Sequence, residues 1–267
     1  MLDLNSEIHL WFCYNDNIYN SKLLEQYKNL LNHEERDQQK RFHFAKHRHQ
    51  YLLTRAMVRS VLSLYADDIK PEKWEFKKND YGKPFISNSP LKIPLHFNIS
   101  HTDGLIVMAV SLNHNIGVDI EYLPRPGKML DIASSFFSPS EVKELFELPV
   151  EKQRNRFFDL WTLKEAYIKA CGMGLSIPLN HFSYSFSSQG KISIGFAPER
   201  NDQPELWQFW QIHPNTNYKI SMALKGNIVG TTYSITMREI APLLEIKNVD
   251  YPISHGNIIS IQPQTDD

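Results

Sequence analysis

The chain has 267 residues, 42% apolar and 22% charged, with 29 lysines and arginines against 30 acids for a net charge of −1. That balance supplies a sizeable core, excludes disorder, collagen and coiled coil, and offers no overall basic surplus for coating nucleic acid. Glycine is scarce at 11 residues, and none lies in a G-x-G-x-x-G or G-x-x-x-x-G-K-[ST] run, so a Walker ATPase or Rossmann dehydrogenase is not expected, and any phosphate would have to be held mostly by side chains or a metal.

Cys13 and Cys171 are the only cysteines and stand far apart. They exclude a disulfide scaffold and a four-thiolate zinc site, and they suit a reducing compartment. The start lacks a basic region followed by an apolar run, so no secretory signal is expected. The longest apolar run, Leu105 to Val110, is six residues, far short of the ~20 that span a bilayer. A cytoplasmic protein without a membrane segment is expected.

Along the chain, Glu7 to Tyr14 reads as a strand and residues 21–65 as helical, with Leu52, Leu53, Ala56, Met57, Val61, Leu62 and Tyr65 at helical spacing. Short strands are predicted at Trp74–Phe76 and His96–Ile99, and a buried one at Leu105–Val110. Ile116–Glu121 follows as its neighbour across an Asn-His-Asn turn. Ser138-Pro139-Ser140-Glu141 has the form of a capping box and starts a helix. A second helix runs from about Glu151 to Cys171, stopped by Gly172 and Gly174. Strands are predicted at Phe182–Phe186, Ile192–Phe196, Leu206–Ile212, Tyr218–Leu224 and Thr231–Ile235, with a loose tail from about Pro252. Mixed rather than alternating elements argue for an α+β fold.

Four groups of residues carry chemistry. In Gly117-Val118-Asp119-Ile120-Glu121 the two carboxylates share one face of a strand, while Val118 and Ile120 point into the core. Adjacent acids repel unless a cation joins them or one keeps its proton, and oxygen donors suit Mg2+ or Mn2+; a solvated strand end is the bland alternative. On the helix Phe157–Ala170, Glu165 sits at the edge of the apolar arc with Lys169 one turn later, a spacing that also fits a plain surface ion pair. Lys164 falls inside the apolar arc and must snorkel or meet an anion, which a site beside the Asp119 strand would supply. His96 to His101 delivers Asn98, Ser100 and His101 at a strand end. Without a G-x-S-x-G elbow, phosphate binding or local capping fits better than a hydrolase triad. The basic stretch Arg36–Arg59, with Arg48 and Arg55 in it, is either a solvated helix face or a phosphate reader, and its histidines lack partners for zinc. Asp80-Tyr81-Gly82-Lys83-Pro84 is a turn that presents one lysine.

In order and spacing, Gly82-Lys83-Pro84, Asn98-Ile99-Ser100-His101, Gly117-Val118-Asp119-Ile120-Glu121 and Trp161-Thr162-Leu163-Lys164-Glu165-Ala166-Tyr167-Ile168-Lys169 closely resemble the successive motifs of the 4′-phosphopantetheinyl transferases. The length matches the larger, monomeric type that activates surfactin synthetase and similar systems. That resemblance implies two similar, closely packed α/β lobes related by a pseudo-twofold: residues 1–115, residues 116–235, and an extension over 236–267. It implies transfer of phosphopantetheine from coenzyme A to a serine of an acyl, peptidyl or aryl carrier protein, in the cytoplasm and without nucleic acid or membrane. Asp119, Glu121 and Glu165 would bind Mg2+ and Lys169 the pyrophosphate. Lys83, Ser100 and His101, with Arg48 or Arg55, would hold the adenosine 3′-phosphate end, with Lys164 a further coenzyme A contact. Glu165 is the implied base and Lys169 the implied acid, a metal-bound water being the alternative base. The competing readings are a Mg2+-dependent nucleotide or coenzyme A hydrolase and a basic-helix nucleic-acid module.

Overall fold

The computed structural model describes residues 7–226 and 233–256. Strand β1 (Glu7–Tyr14) leads into helices α1 (Ser21–Leu30), α2 (His33–Arg41) and α3 (Ala45–Leu62). A short hairpin, β2 (Phe76–Lys78) and β3 (Pro84–Ile86), precedes β4 (Leu95–Thr102), β5 (Leu105–Leu112) and β6 (Asn115–Tyr122). Helices α4 (Ala133–Phe136), α5 (Pro139–Glu147) and α6 (Val150–Cys171) come next, then the hairpin β7 (Phe182–Phe186) and β8 (Ile192–Phe196). The chain continues through β9 (Trp207–Ile212), β10 (Tyr218–Lys225), β11 (Ser234–Ala241), β12 (Glu245–Val249) and β13 (Ile253–Gly256).

Two sheets carry the fold, one in the order β12-β11-β1-β5-β4 and the other β13-β9-β10-β6. The two-residue period of a strand sorts each side chain to one face. In β1, Trp11 and Cys13 pack outward with Leu53, Met57 and Val61 of α3, while Ile8, Leu10 and Phe12 pack inward. Val107 and Ala109 of β5 meet Val118 and Ile120 of β6 and Ile220 and Met222 of β10 in that inner core. Phe157, Leu163 and Ala166 of α6 build a third core with Phe209 and Ala223 on the outer face of the second sheet. The layers run helices, sheet, sheet, helices, and the architecture is α+β as the sequence predicts.

The inner-core side of β6 takes Ile116, Val118 and Ile120, so Gly117, Asp119 and Glu121 look toward α6. Gly117 makes the close approach: a Cβ built there would overlap the Ala166 carbonyl oxygen and the Ala170 amide nitrogen, both helix backbone. Gly117→Ala must push helix from strand, and is expected to cost about 2–3 kcal/mol in chemical denaturation, as overpacked cores do. An unchanged midpoint would show that the helix yields freely there.

Some predicted elements fall elsewhere. The helical stretch 21–65 divides into three helices: Asn32 accepts the Glu35 amide while the Glu35 side chain accepts the Asn32 amide, a capping box that starts α2 anew after α1. Trp74 is not in a strand; it lies under α3 with its indole donating to Ser63 Oγ, and β2 starts at Phe76. The loose tail predicted from about Pro252 is shorter than expected, since Ile253–Gly256 pairs with β9; before it, β11 runs on past the predicted strand end at Ile235 and lies parallel to β1. Of the predicted strand Thr231–Ile235, residues 231–232 lie outside the described residues, as do 257–267 of the tail.

Candidate active site

Strands β4 and β6 are edges of different sheets and run side by side. Asn98 Oδ1 accepts the Val118 amide at 2.8 Å, and two residues on Ser100 Oγ donates to Asp119 Oδ1 at 3.0 Å. Alternation along β4 explains both contacts and leaves His101 exposed on the opposite face. From α6, Lys169 Nζ reaches the same Asp119 oxygen at 2.6 Å and Ser100 Oγ at 2.9 Å. Glu165 lies one turn earlier on that helix, and the Glu121 carboxylate pairs with Arg125 at 2.9 Å. Three segments widely separated in sequence thus meet where the two sheets adjoin.

Repulsion among the acids is evident. Burial, followed by the Asp119 charge and to a lesser extent Glu165, pushes Glu121 up to about 7 against the pull of Arg125 and Lys169. Glu165 is raised too, first by burial and then by Asp119. Asp119 Oδ2 is buried and finds no hydrogen-bond partner among the described residues. An orphaned carboxylate oxygen beside two acids that resist ionisation is what a hard divalent cation relieves, and all the donors are oxygen. The donor chemistry therefore fits Mg2+, although among the described residues no three acidic, histidine or cysteine side chains are grouped so as to hold a metal ion. Lys169 supplies the local positive charge on Asp119.

The other sequence-derived candidates are placed differently. Lys164 is a correction: it is fully buried, pairs with Glu141 at 2.8 Å, and donates to the carbonyls of Leu179 and Phe182 at 2.7 and 2.6 Å. The anion it meets is the capping-box glutamate of α5, so Lys164 is no coenzyme A contact; helical spacing locates it in the apolar arc but does not tell which neighbour supplies the charge. Lys83 Nζ is directed at the carbonyls of Ala170 and Ile116, at 3.1 and 3.3 Å. Arg48 donates to the carbonyls of Phe42 and His43 at 2.8 and 3.0 Å, where the chain enters α3. Arg55 and the buried Arg59 both pair with Glu35, so part of the basic stretch is spent internally rather than displayed to nucleic acid. Arg55 still lines a groove of about 480 Å3 in which Arg41, Lys77 and Lys78 stand beside the acids Glu34, Glu35 and Asp37. Sequence reasoning passed over Arg125, whose signal was its place four residues after Glu121, and over Lys77 and Lys78, which only the β2–β3 hairpin brings to α2.

A family model for the 4′-phosphopantetheinyl transferase superfamily matches residues 115–223, and one for a 4′-phosphopantetheinyl transferase N-terminal region matches residues 20–113. The 4′-phosphopantetheinyl transferase HetI of Nostoc sp. strain PCC 7120 is 30% identical over 223 residues, covering 84% of this chain and 90% of the relative. The 4′-phosphopantetheinyl transferase Sfp of Bacillus subtilis strain 168 is 36% identical over 174 residues, covering 64% of this chain and 73% of its own. The motifs that meet between β4, β6 and α6 straddle the two matched regions, and the chain belongs to the 4′-phosphopantetheinyl transferase superfamily.

Proposed function

We propose that the chain transfers the 4′-phosphopantetheine group of coenzyme A to a serine hydroxyl of a carrier protein, releasing 3′,5′-ADP, with Mg2+ or Mn2+ as the metal ion. The observation that carries the reading is the convergence of Ser100, Asp119 and Lys169, with hydrogen bonds of 2.6–3.0 Å, beside Glu121 and Glu165. Asp119, Glu121 and Glu165 would hold the metal, which when bound supplies charge neutralisation to the phosphates. Glu165, its carboxyl raised by burial, accepts the serine proton as the hydroxyl oxygen bonds to the β-phosphorus. The bond from that phosphorus to the bridging oxygen breaks, the electron pair leaves on the 5′-phosphate of 3′,5′-ADP, and the Lys169 ammonium stabilises it. His101, exposed at the end of β4, and the groove containing Arg55 are the proposed contacts for the adenosine 3′-phosphate end.

A monomer is the proposed working unit. Among the described residues no helix is long and apolar enough to cross a membrane. A reducing, cytoplasmic setting is part of the proposal, supported by Cys13 and Cys171 both being free thiols. Mass spectrometry of an apo carrier protein mixed with this protein, coenzyme A and Mg2+ tests the reading. A carrier heavier by one phosphopantetheine supports transfer. Coenzyme A consumed with the carrier unmodified would favour the hydrolase, and no metal-dependent turnover at all would leave a binding module. Chelation by EDTA is expected to stop modification and added Mg2+ to restore it; full activity in EDTA would remove the metal from the reading.

A further inference from the structure

We propose that Lys83 and Asn79 are positioning residues that tie the β2–β3 turn to the two elements bearing the reactive groups; the inference rests on the transfer reading above. Lys83 Nζ donates to the Ala170 carbonyl at 3.1 Å and the Ile116 carbonyl at 3.3 Å. Ala170 follows Lys169 directly on α6, and Ile116 stands three residues before Asp119 on β6. A single ammonium therefore spans the helix that carries Lys169 and the strand that carries Asp119, next to the place where Gly117 lets their backbones touch. Asn79 adds a second tie from the same turn, its amide nitrogen donating to the Gly172 carbonyl at 2.7 Å. Its side-chain oxygen Oδ1 accepts the Tyr81 and Lys83 amides at 3.0 and 2.9 Å, which fixes the turn that aims the lysine.

The chemistry of the helix end favours this arrangement. The last carbonyls of a helix have no partners within it and lie at the negative end of the dipole, so a cation there both caps and stabilises them. Gly172 ends α6 with φ +72°, and a Cβ at that position would come within 2.9 Å of Lys83 Cδ. The lysine stem lies against the turn of the helix rather than reaching toward solvent. Burial lowers its pKa to about 8, as expected of an ammonium packed between elements rather than displayed for a phosphate. Fixing the end of α6 against β6 fixes the 2.6 Å approach of Lys169 to Asp119, and a small displacement of a reacting group costs rate more than it costs binding.

Lys83→Met, Lys83→Arg and Asn79→Ala, assayed for carrier modification over a range of coenzyme A concentrations, separate positioning from phosphate binding. The methionine and alanine variants are expected to lose about tenfold or more in kcat with KM for coenzyme A within about twofold, and the arginine variant to recover part of the loss. Amide hydrogen exchange should rise at the end of α6 and the start of β6 in the same two variants. A large rise in KM with kcat unchanged would make Lys83 a phosphate contact, and no change in either constant would leave the tie without consequence. Should Lys83→Met fail to fold, Asn79→Ala, at an exposed position, carries the same comparison. A wild-type protein that modifies no carrier would remove the transfer reading, whereas an active wild type with unaltered variants would overturn the positioning role alone.

Discussion

Asp119→Ala is expected to cut carrier modification at least about a hundredfold at any Mg2+ concentration, while the protein remains folded. One oxygen of this carboxylate accepts from both Ser100 and Lys169, and the other is buried without a hydrogen-bond partner among the described residues. With Ser100 Oγ and Lys169 Nζ that oxygen closes a three-way contact among β4, β6 and α6, and it is the member that β6 supplies, so its loss disconnects Lys169 from the strand that carries the acids. Stability should change little, because two effects oppose. Lys169 and Ser100 lose an acceptor, but the Lys169 side chain is 27% exposed and water reaches it. Glu121 and Glu165 lose a repelling neighbour, which relieves a cost that Asp119 imposes on both. Circular dichroism should give a thermal midpoint within a few degrees of the parent, and Asp119→Asn, which keeps the acceptor oxygen but not the charge, should be as inactive as alanine. Substantial turnover in either variant would sink the assignment of this carboxylate to metal and phosphate handling.

Much of that site was legible in the sequence, because it rests on local periodicity. A strand puts residues two apart on one face, so Asp119 and Glu121 had to project together and away from Val118 and Ile120. A helix puts residues four apart on one face, so Glu165 and Lys169 had to neighbour each other. The Ser138 capping box and the stop at Gly172 are equally local, and both appear where predicted. What the sequence could not show is which face meets which. Lys164 was visible as a charge in an apolar arc, but its partner, Glu141, lies 23 residues away on α5 and was legible only as a cap. Lys83 was visible as a turn lysine, and the docking of that turn on the end of α6 is a long-range contact without local signature. The return of β11 to lie beside β1 is of the same kind, since β-pairing partners more than 200 residues apart leave no period to read.

The second large effect falls on stability and discriminates between the two roles for Lys164. Lys164→Met is expected to destabilise the protein by about 3–5 kcal/mol, because it leaves the Glu141 carboxylate buried and uncompensated. Both side chains are essentially inaccessible, at 0% and 1% exposure, so solvent does not screen the loss. The lysine ammonium also satisfies the carbonyls of Leu179 and Phe182 and lies 4.4 Å from the centre of the Phe182 ring, so its removal strips three anchors from the segment after α6. Pairing it with Glu141→Gln should recover part of the cost, since the neutral amide no longer demands a counter-charge. Recovery is incomplete because Glu141 also caps α5 and accepts the Tyr184 amide at 2.9 Å. Urea denaturation of the single and double variants gives the coupling directly, and simple additivity would show that the pair is not a unit. The same variants, assayed at a temperature where they remain folded, should bind coenzyme A with unchanged KM. A manyfold rise in that KM would return Lys164 to the cofactor site, whereas unchanged affinity together with a large loss of stability assigns this lysine, the most buried charge of the helix motif, to holding α6 in place so that Glu165 and Lys169 face Asp119.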